Sequence, residues 1–244
     1  HDKWIDSIDS KEQLNQDMNN NTPVWKNLLT RQQAWAEFVQ KLNLENSIFD
    51  PNLNMSIMKI DHDGKKIGIA GFNSSWASYK DKHDSHLWIG KYQYDQAMSS
   101  LSDCDFKIAV SHHPTSCLDD LERNWFSEKL EATFRIHFHG HVHDQWFTDS
   151  HRHLKVAAGS CYQGAEKENA YSWLILNFKN EVCDIHLRKY EEKGEGGWVP
   201  FCIPGKTDTE GVGHVQHLFA SSGFGKEPNN DHHKTEVEKT LVSK

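Results

Sequence analysis

Apolar and polar residues alternate along several short runs of the chain, a pattern that predicts β-strands, and recur at helical spacing along a few longer runs. Helices are predicted over 24–44, as one helix or a pair, and over 94–101 and 118–133. The predicted strands cover residues 55–60, 65–72, 106–110, 134–138, 153–158, 171–178 and 182–190. Strands that alternate with helices predict an α/β fold, in which binding sites gather at the carboxyl edge of the sheet.

Polar segments between these runs predict the turns and the limits of the folded domain. Asp61-His62-Asp63-Gly64 joins two strands and contains the Asp-Gly step typical of a hairpin. The last two strands predict a second hairpin, with its polar face outward. Residues 3–23 read as a loop or weak helix. Residues 1–204 are expected to form one domain, and residues 205–244 a flexible polar tail or linker.

The composition of the chain argues against several classes of protein, among them nucleic-acid-coating and membrane-spanning proteins. A chain of 244 residues with 36% hydrophobic content can bury one core, and its net charge of −8 argues against a surface that coats nucleic acid. Neither an apolar run long enough to span a membrane nor a secretory signal is found, so a cytoplasmic protein is expected. Five dispersed cysteines without C-x-x-C spacing indicate free, mostly buried thiols.

Two histidine motifs follow two of the predicted strands. The run 134–138 leads into Phe138-His139-Gly140-His141-Val142-His143, and the run 106–110 leads into His112-His113-Pro114. Gly140 permits a tight turn, and an H-x-H pair after a strand can direct two imidazole nitrogens to a metal. A chain with 17 histidines can also bring two together by accident. The second motif favours a shared site at the strand ends.

Other histidines and other metal folds fit this pattern less well. Five histidines that lie on or beside predicted strands are interpreted as structural: His137, His139, His151, His153 and His186. His139 is also close enough to support the site. A metallo-β-lactamase-type site requires H-x-H-x-D-H, which Asp144 and Gln145 do not match. A zinc finger lacks its paired cysteines.

The motifs together resemble a known family. SHHP after a strand, then FHGHVH after the next, then AAGSCY and a hairpin that closes near Trp198, resemble the C-terminal half of the calcineurin-like metallophosphoesterases. GFNSSWAS and HLWIGKYQYDQA, upstream of SHHP, are similar to the bacterial branch, and the resemblance covers about residues 55–200. It implies an α/β fold built as a four-layer αββα sandwich, of which the N-terminal part is missing here.

The resemblance also implies roles for particular residues. The metal ligands would be His112, His141 and His143, with His113 as a neighbour of the site. The family's G-N-H-D motif matches only through its last two residues, which makes His1 the general acid that assists the leaving group and Asp2 its orienting partner. D-x-H, G-D and the asparagine of G-N-H-D are absent. The chain begins abruptly and without methionine, as a fragment cut inside this motif would.

The implied activity is hydrolysis of a phosphomonoester or phosphodiester by a metal-activated hydroxide at a centre of two divalent ions, Mn, Fe or Zn. The expected partners are a phosphate-ester substrate, nucleic acid only as a substrate, no membrane, and a fused signalling or effector domain. The alternative is a non-catalytic regulatory or interaction module of a larger protein. Because half of the ligands are absent, this chain alone is expected to bind metal weakly and to hydrolyse little.

Overall fold

A computed structural model describes residues 2–78, 86–150, 152–162, 169–192 and 196–219; it does not describe the side chains of residues 2, 3 and 217. No helix in this part of the chain is long and apolar enough to cross a membrane. The helices are α1 (Asp2–Ile5), α2 (Lys11–Asn19), α3 (Pro23–Leu29), α4 (Gln33–Leu42), α5 (Lys91–Ser100) and α6 (Asp120–Thr133). The strands are β1 (Ser47–Asp50), β2 (Met55–His62), β3 (Lys65–Phe72), β4 (Phe106–Ser111), β5 (Ile136–His139), β6 (Trp146–Ser150), β7 (His153–Ala157), β8 (Ala170–Asn177), β9 (Val182–Glu191), β10 (Gly197–Pro200) and β11 (Val212–Val215).

The strands form two sheets. The main sheet has seven strands in the order β1-β2-β3-β4-β5-β7-β6. Strands β3, β4, β5 and β7 are parallel to one another, and β1, β2 and β6 pair antiparallel with their neighbours. In the second sheet, β9 pairs antiparallel with β8, β10 and β11. The parallel strands therefore end at one common edge of the main sheet.

The main sheet lies between the helices and the second sheet. On one face Ala70 and Phe72 pack with helix residues such as Trp25 and Phe126, and on the other face Ile108 packs with residues of β9. The two faces alternate along each strand, as the period of two requires. This arrangement confirms the predicted α/β fold with two sheets. A second helical layer, on the outer face of the second sheet, is not present among the described residues.

The N-terminal helices follow from local sequence signals. The segment predicted as one helix or a pair is a pair, α3 and α4, joined by a short 3₁₀ turn; Thr22 caps α3 and Pro23 occupies its first turn. Residues 11–19, expected to be a loop or weak helix, form α2. Ser10 caps this helix, and burial of Leu14 and Met18 stabilises it where local propensity does not.

The first predicted hairpin is confirmed. β2 and β3 are joined by Asp63 and Gly64, whose φ angles of 49° and 71° are the left-handed values that a two-residue hairpin loop requires. β1 and β6 were not predicted, because both are short and each lies at an edge of the main sheet. All five cysteines are free, and three of them are buried.

Two features of the second sheet correct the sequence prediction. Residues 205–219 are not a flexible tail, since β11 pairs with β9 and both Val215 and Leu218 are buried beneath it. Residues 220–244 lie outside the described residues. The outer face of the β8–β9 hairpin is not polar, because Trp173 and Ile175 are exposed there at 37% and 49%. Alternation in β8 thus places apolar side chains on both of its faces.

A buried carboxylate joins α6 to the start of α5. Glu122 is 1% exposed, and its two carboxylate oxygens accept hydrogen bonds from the backbone N–H groups of Ile89 and Gly90, each at 2.7 Å. These groups immediately precede α5, so the carboxylate satisfies donors that the helix itself cannot. Burial raises the pKa of Glu122 to about 7, and the two hydrogen bonds oppose this rise.

We expect the substitution Glu122→Gln to change the pH dependence of stability. The folded state binds the proton more tightly than the unfolded chain, so the contribution of Glu122 is complete below pH 4.5 and is lost as the pH rises to about 7. Relative to Glu122→Gln, the free energy of unfolding of the wild type should fall by about 3 kcal/mol across this window. Urea titrations at a series of pH values measure the difference. Parallel pH profiles for the two proteins would contradict the expectation.

Candidate metal site

Two neighbouring parallel strands bring the histidine motifs together. β4 ends at Ser111, which pairs in register with His139 at the end of β5. The chain that leaves each strand therefore emerges at the same edge of the main sheet. The backbone N–H of Gly140 donates to the carbonyl oxygen of His112 at 2.9 Å, which joins the two loops directly.

Three imidazoles converge at this edge, those of His112, His113 and His141. One ring nitrogen from each lies within 4.8 Å of the others. The ring centroids are 4.6 Å apart for His112 and His113, 5.4 Å for His112 and His141, and 4.6 Å for His113 and His141. His113 is buried, His141 is half-buried and His112 is exposed, so the cluster opens to solvent on one side. We call these three residues the histidine cluster.

The loop that carries His141 has an uncommon backbone. The N–H of Val142 donates to the carbonyl oxygen of Gly140 at 2.9 Å, which makes a three-residue turn centred on His141. His141 has a φ of 69°, and His143 has a φ of 60°. Left-handed conformations are disfavoured for residues with a side chain and concentrate at functional sites. Gly140 itself does not have a positive φ, so the tight turn is made by the residues after it.

The surroundings of His112 lower the pKa of its imidazole, although one side of the residue is exposed to solvent. Its pKa is lowered chiefly by burial of the ring and further by the positive charges that His141 and His143 can carry. A neutral imidazole has a free lone pair, which is the form that coordinates a metal ion. The lowered pKa therefore makes the coordinating form of His112 easier to reach than that of an isolated imidazole.

Two serines position His113. The hydroxyl of Ser74, two residues after β3, lies 2.8 Å from Nδ1 of His113 and also accepts the backbone N–H of His113 at 3.3 Å. The hydroxyl of Ser111 donates to the carbonyl oxygen of His113 at 2.8 Å, and Nε2 of His137 lies 2.9 Å from the same hydroxyl. Since Ser111 uses its proton on the carbonyl, His137 is the donor in the second bond. A partner at Nδ1 leaves Nε2 of His113 as the nitrogen that can face a metal.

The structure reports on each residue predicted from the sequence. His112 and His141 lie in the histidine cluster, and His113, predicted as a neighbour, lies there as well. His143 is exposed and is not a member of the cluster, although it is close enough for its charge to affect His112. His1 lies outside the described residues. Asp2 begins α1, and its side chain is not described.

Ser74 and Ser111 were not assigned roles from the sequence. Ser74 lies in the GFNSSWAS segment of the family resemblance, but its partner could be found only from the pairing of β3 with β4. His139 is beside the site rather than in it. Its Nδ1 lies 3.2 Å from the carbonyl oxygen of Gly140, and its ring packs on Trp146.

The donor set fits one metal ion. Three imidazoles are a common ligand set for zinc, and imidazole also binds iron and manganese. Among the described residues, no other group of three histidine, cysteine or acidic side chains lies this close together, and no carboxylate belongs to the cluster. A pair of adjacent ions is normally bridged by carboxylate or hydroxide. The described residues therefore provide one candidate set of ligands, made of three imidazoles.

Comparisons with known proteins give low similarity. No protein-family model matches the chain, and no curated protein matches it. Among solved structures, a Staphylococcus aureus protein assigned as a 5′-nucleotidase, in complex with α-ketoglutarate, is 11% identical, with a TM-score of 0.35 and coverage of 72% of this chain and 32% of that one. Vps29 from Chaetomium thermophilum is 9% identical, with a TM-score of 0.28 and coverage of 72% and 61%.

Wild-type Vps29 from Entamoeba histolytica, complexed with zinc, is 12% identical, with a TM-score of 0.25 and coverage of 59% of each chain. The chain thus spans about a third of the length of the first of these structures and about three fifths of the other two. At these identities and TM-scores, the similarities carry no conclusion about activity.

Proposed function

We propose that the chain belongs to a metal-dependent phosphoesterase of the calcineurin-like superfamily, acting on a phosphomonoester or a phosphodiester. The observation that carries this proposal is the convergence of His112, His113 and His141 at the ends of two parallel strands. The motifs HHP and GHVH, from which the family resemblance was drawn, are the same segments that build the histidine cluster. Sequence motif and geometry therefore lead to one site.

Each residue of the site has a separate proposed role. His112, His113 and His141 would hold the first ion, and His143 would turn toward a second ion held with ligands from elsewhere in the protein. A bound divalent ion supplies a hydroxide near neutral pH and stabilises charge on the phosphoryl oxygens. Ser74 and Ser111 fix the orientation of His113, so that its lone pair is directed before the ion arrives.

His1 remains the proposed general acid, with Asp2 as its orienting partner. Support comes from the helix that follows them. Trp4 in α1 packs against Trp76, with ring centroids 6.5 Å apart, and Trp76 lies two residues after Ser74. The start of the chain thus runs beside the segment that positions His113.

A second candidate function is a non-catalytic interaction module. The observation that favours it is the composition of the cluster, which contains imidazoles and no carboxylate within the described residues. Such a site could hold one ion without the second ion on which two-metal hydrolysis depends. The two candidates differ in whether bound metal produces turnover.

Hydrolysis of aryl phosphates tests the proposal. With Mn²⁺, Fe²⁺ or Zn²⁺, the chain should release nitrophenol slowly from p-nitrophenyl phosphate or its diester, and EDTA should abolish the release. His112→Ala should lower the rate at least about 100-fold, because it removes a ligand. His214→Ala, which alters an exposed histidine on β11, is the matched control and should leave the rate unchanged.

Calorimetric titration of the same proteins with the metal separates the two candidates. In a longer form of the protein that also supplies the ligands for the second ion, metal binding without any turnover above the metal blank would reject the phosphoesterase and favour the interaction module. Equal rates in His112→Ala and the wild type would place any activity outside the histidine cluster.

A further inference from the structure

A cavity lies at the edge of the main sheet opposite the histidine cluster. It has a volume of about 940 Å³ and opens between the amino ends of β4, β5 and β7 and the carboxyl ends of α5 and α6. This volume is at the upper end of the range for small-molecule sites in proteins. Neither of the functions considered above uses it. We call it the amino-edge cavity.

Three neighbouring strands each contribute a basic residue to its wall. Ile108, Ile136 and Leu154 are paired in register across β4, β5 and β7. The residue before each of them is Lys107, Arg135 or His153, so these three side chains stand in a row on the helix-facing side of the sheet, and all three line the cavity. Arg152, next to His153, lines it as well.

The Arg135 guanidinium is not neutralised within the described residues. Among the described residues, no side chain or carbonyl group makes a hydrogen bond or an ion pair with it. The carbonyl groups at the end of α6, two residues earlier in the chain, do not serve as its partners either. Its pKa is lowered, first by burial and then by the nearby charge of Arg152. Like charges on adjacent strands destabilise a sheet unless something compensates them. A bound anion would do so, and a guanidinium binds phosphate in bidentate fashion.

The same cavity also offers a hydrogen-bond acceptor. It is not His153, because Nδ1 of that residue donates to the carbonyl oxygen of Phe134 at 2.7 Å and its Nε2 is buried beneath the wall. Glu128 lines the wall without a described partner. The other acidic side chains are engaged, since Glu131 pairs with Lys155 at 3.6 Å and Asp105 accepts the backbone N–H of Lys66 at 2.8 Å.

We propose that the amino-edge cavity binds a small phosphorylated polyol, such as a sugar phosphate. The phosphate would lie on Arg135 and Lys107, with Arg135 as its main contact. A hydroxyl group of the ligand would donate to the Glu128 carboxylate. A ligand of this class satisfies the unpaired donor and the unpaired acceptor at once, which inorganic phosphate or a neutral sugar alone does not.

Titration calorimetry with ribose 5-phosphate, inorganic phosphate and ribose tests this inference. EDTA is present throughout, so that binding through metal at the histidine cluster does not contribute. Ribose 5-phosphate should bind at least about 10-fold more tightly than phosphate, and ribose should not bind measurably. Arg135→Gln should weaken ribose 5-phosphate by about 10-fold or more, because it removes the bidentate partner of the phosphate.

Arg31→Gln is the matched control, since it removes an exposed arginine on the helical side, away from the cavity. It should bind ribose 5-phosphate as the wild type does. Without ligand, Arg135→Gln should melt at the same temperature as the wild type or higher, because it relieves repulsion in the basic row. A lower melting temperature would make Arg135 a structural residue and overturn the inference. Absence of saturable binding, or equal binding by Arg135→Gln, would overturn it as well.

Discussion

Replacing His141 with alanine is expected to weaken zinc binding by at least about 100-fold, since substitutions that only disturb the support of a ligand already cost about 10- to 100-fold. His141 is the one member of the histidine cluster that comes from the β5 loop, and the other two come from the β4 loop. Its loss leaves two adjacent imidazoles that cannot surround an ion. Competition titrations with a chromogenic chelator measure the zinc affinity of both proteins.

The control for this substitution is His62→Ala, at the exposed end of β2, which should bind zinc like the wild type. Ser74→Ala should give an intermediate result, a loss of about 10-fold, because it frees the His113 ring without removing it. Co²⁺ absorption spectra provide a second readout, as loss of a nitrogen ligand changes their intensity. If His141→Ala bound zinc as tightly as His62→Ala, the histidine cluster would not be the metal site.

Trp25→Ala is expected to lower the free energy of unfolding by about 3–5 kcal/mol. The Trp25 ring is 0% exposed, packs edge-on against Trp76 with centroids 5.0 Å apart, and donates from Nε1 to the carbonyl oxygen of Asn52 at 2.6 Å. Alanine would leave a cavity beneath Trp76 and an unpaired carbonyl. Equilibrium unfolding in urea, followed by circular dichroism, measures the change.

Trp35→Ala serves as the comparison, because Trp35 is 47% exposed and packs edge-on against Phe49. Its cost should stay near 1 kcal/mol or below. Loss of the Trp25 ring should also affect the metal site. Trp76 follows Ser74 by two residues, so a shift of Trp76 into the new cavity would move Ser74, the hydrogen-bond partner of His113. Similar losses of stability in the two variants would show that the packing of Trp25 on Trp76 is not a main support of the fold.

Much of the fold was predictable because the signals are local. The hairpin of β2 and β3 follows from Asp63-Gly64, and the α3–α4 pair from Thr22-Pro23 and the spacing of apolar residues. The elements that escaped prediction depend on distant contacts. β11 is only four residues long and exists because it pairs with β9, a partner that no local pattern reveals. The predicted tail was wrong through residue 219 for this reason.

The strands that carry the candidate site could be predicted from the sequence, whereas the histidines that form it could be predicted only in part. That the motifs of His112 and His141 meet follows from two strands that end at one edge, whereas their roles as ligands come from the family resemblance. Choosing between His113 and His143 requires side-chain direction, which depends on the left-handed turn at His141 and on the bond from Ser74 to His113. Neither the turn nor the cross-strand bond leaves a pattern in the sequence. The placement of His143 as a ligand accordingly stays a prediction.

The left-handed backbone at His141 and His143 has a practical consequence for protein engineering. Each of these residues would lose strain of about 1 kcal/mol or more if it were replaced by glycine. Selection for thermal stability alone, in a library without metal, would therefore favour glycine at both positions. The most stable variants would then lack the imidazoles of His141 and His143. Selection for thermal stability should therefore be carried out with zinc present.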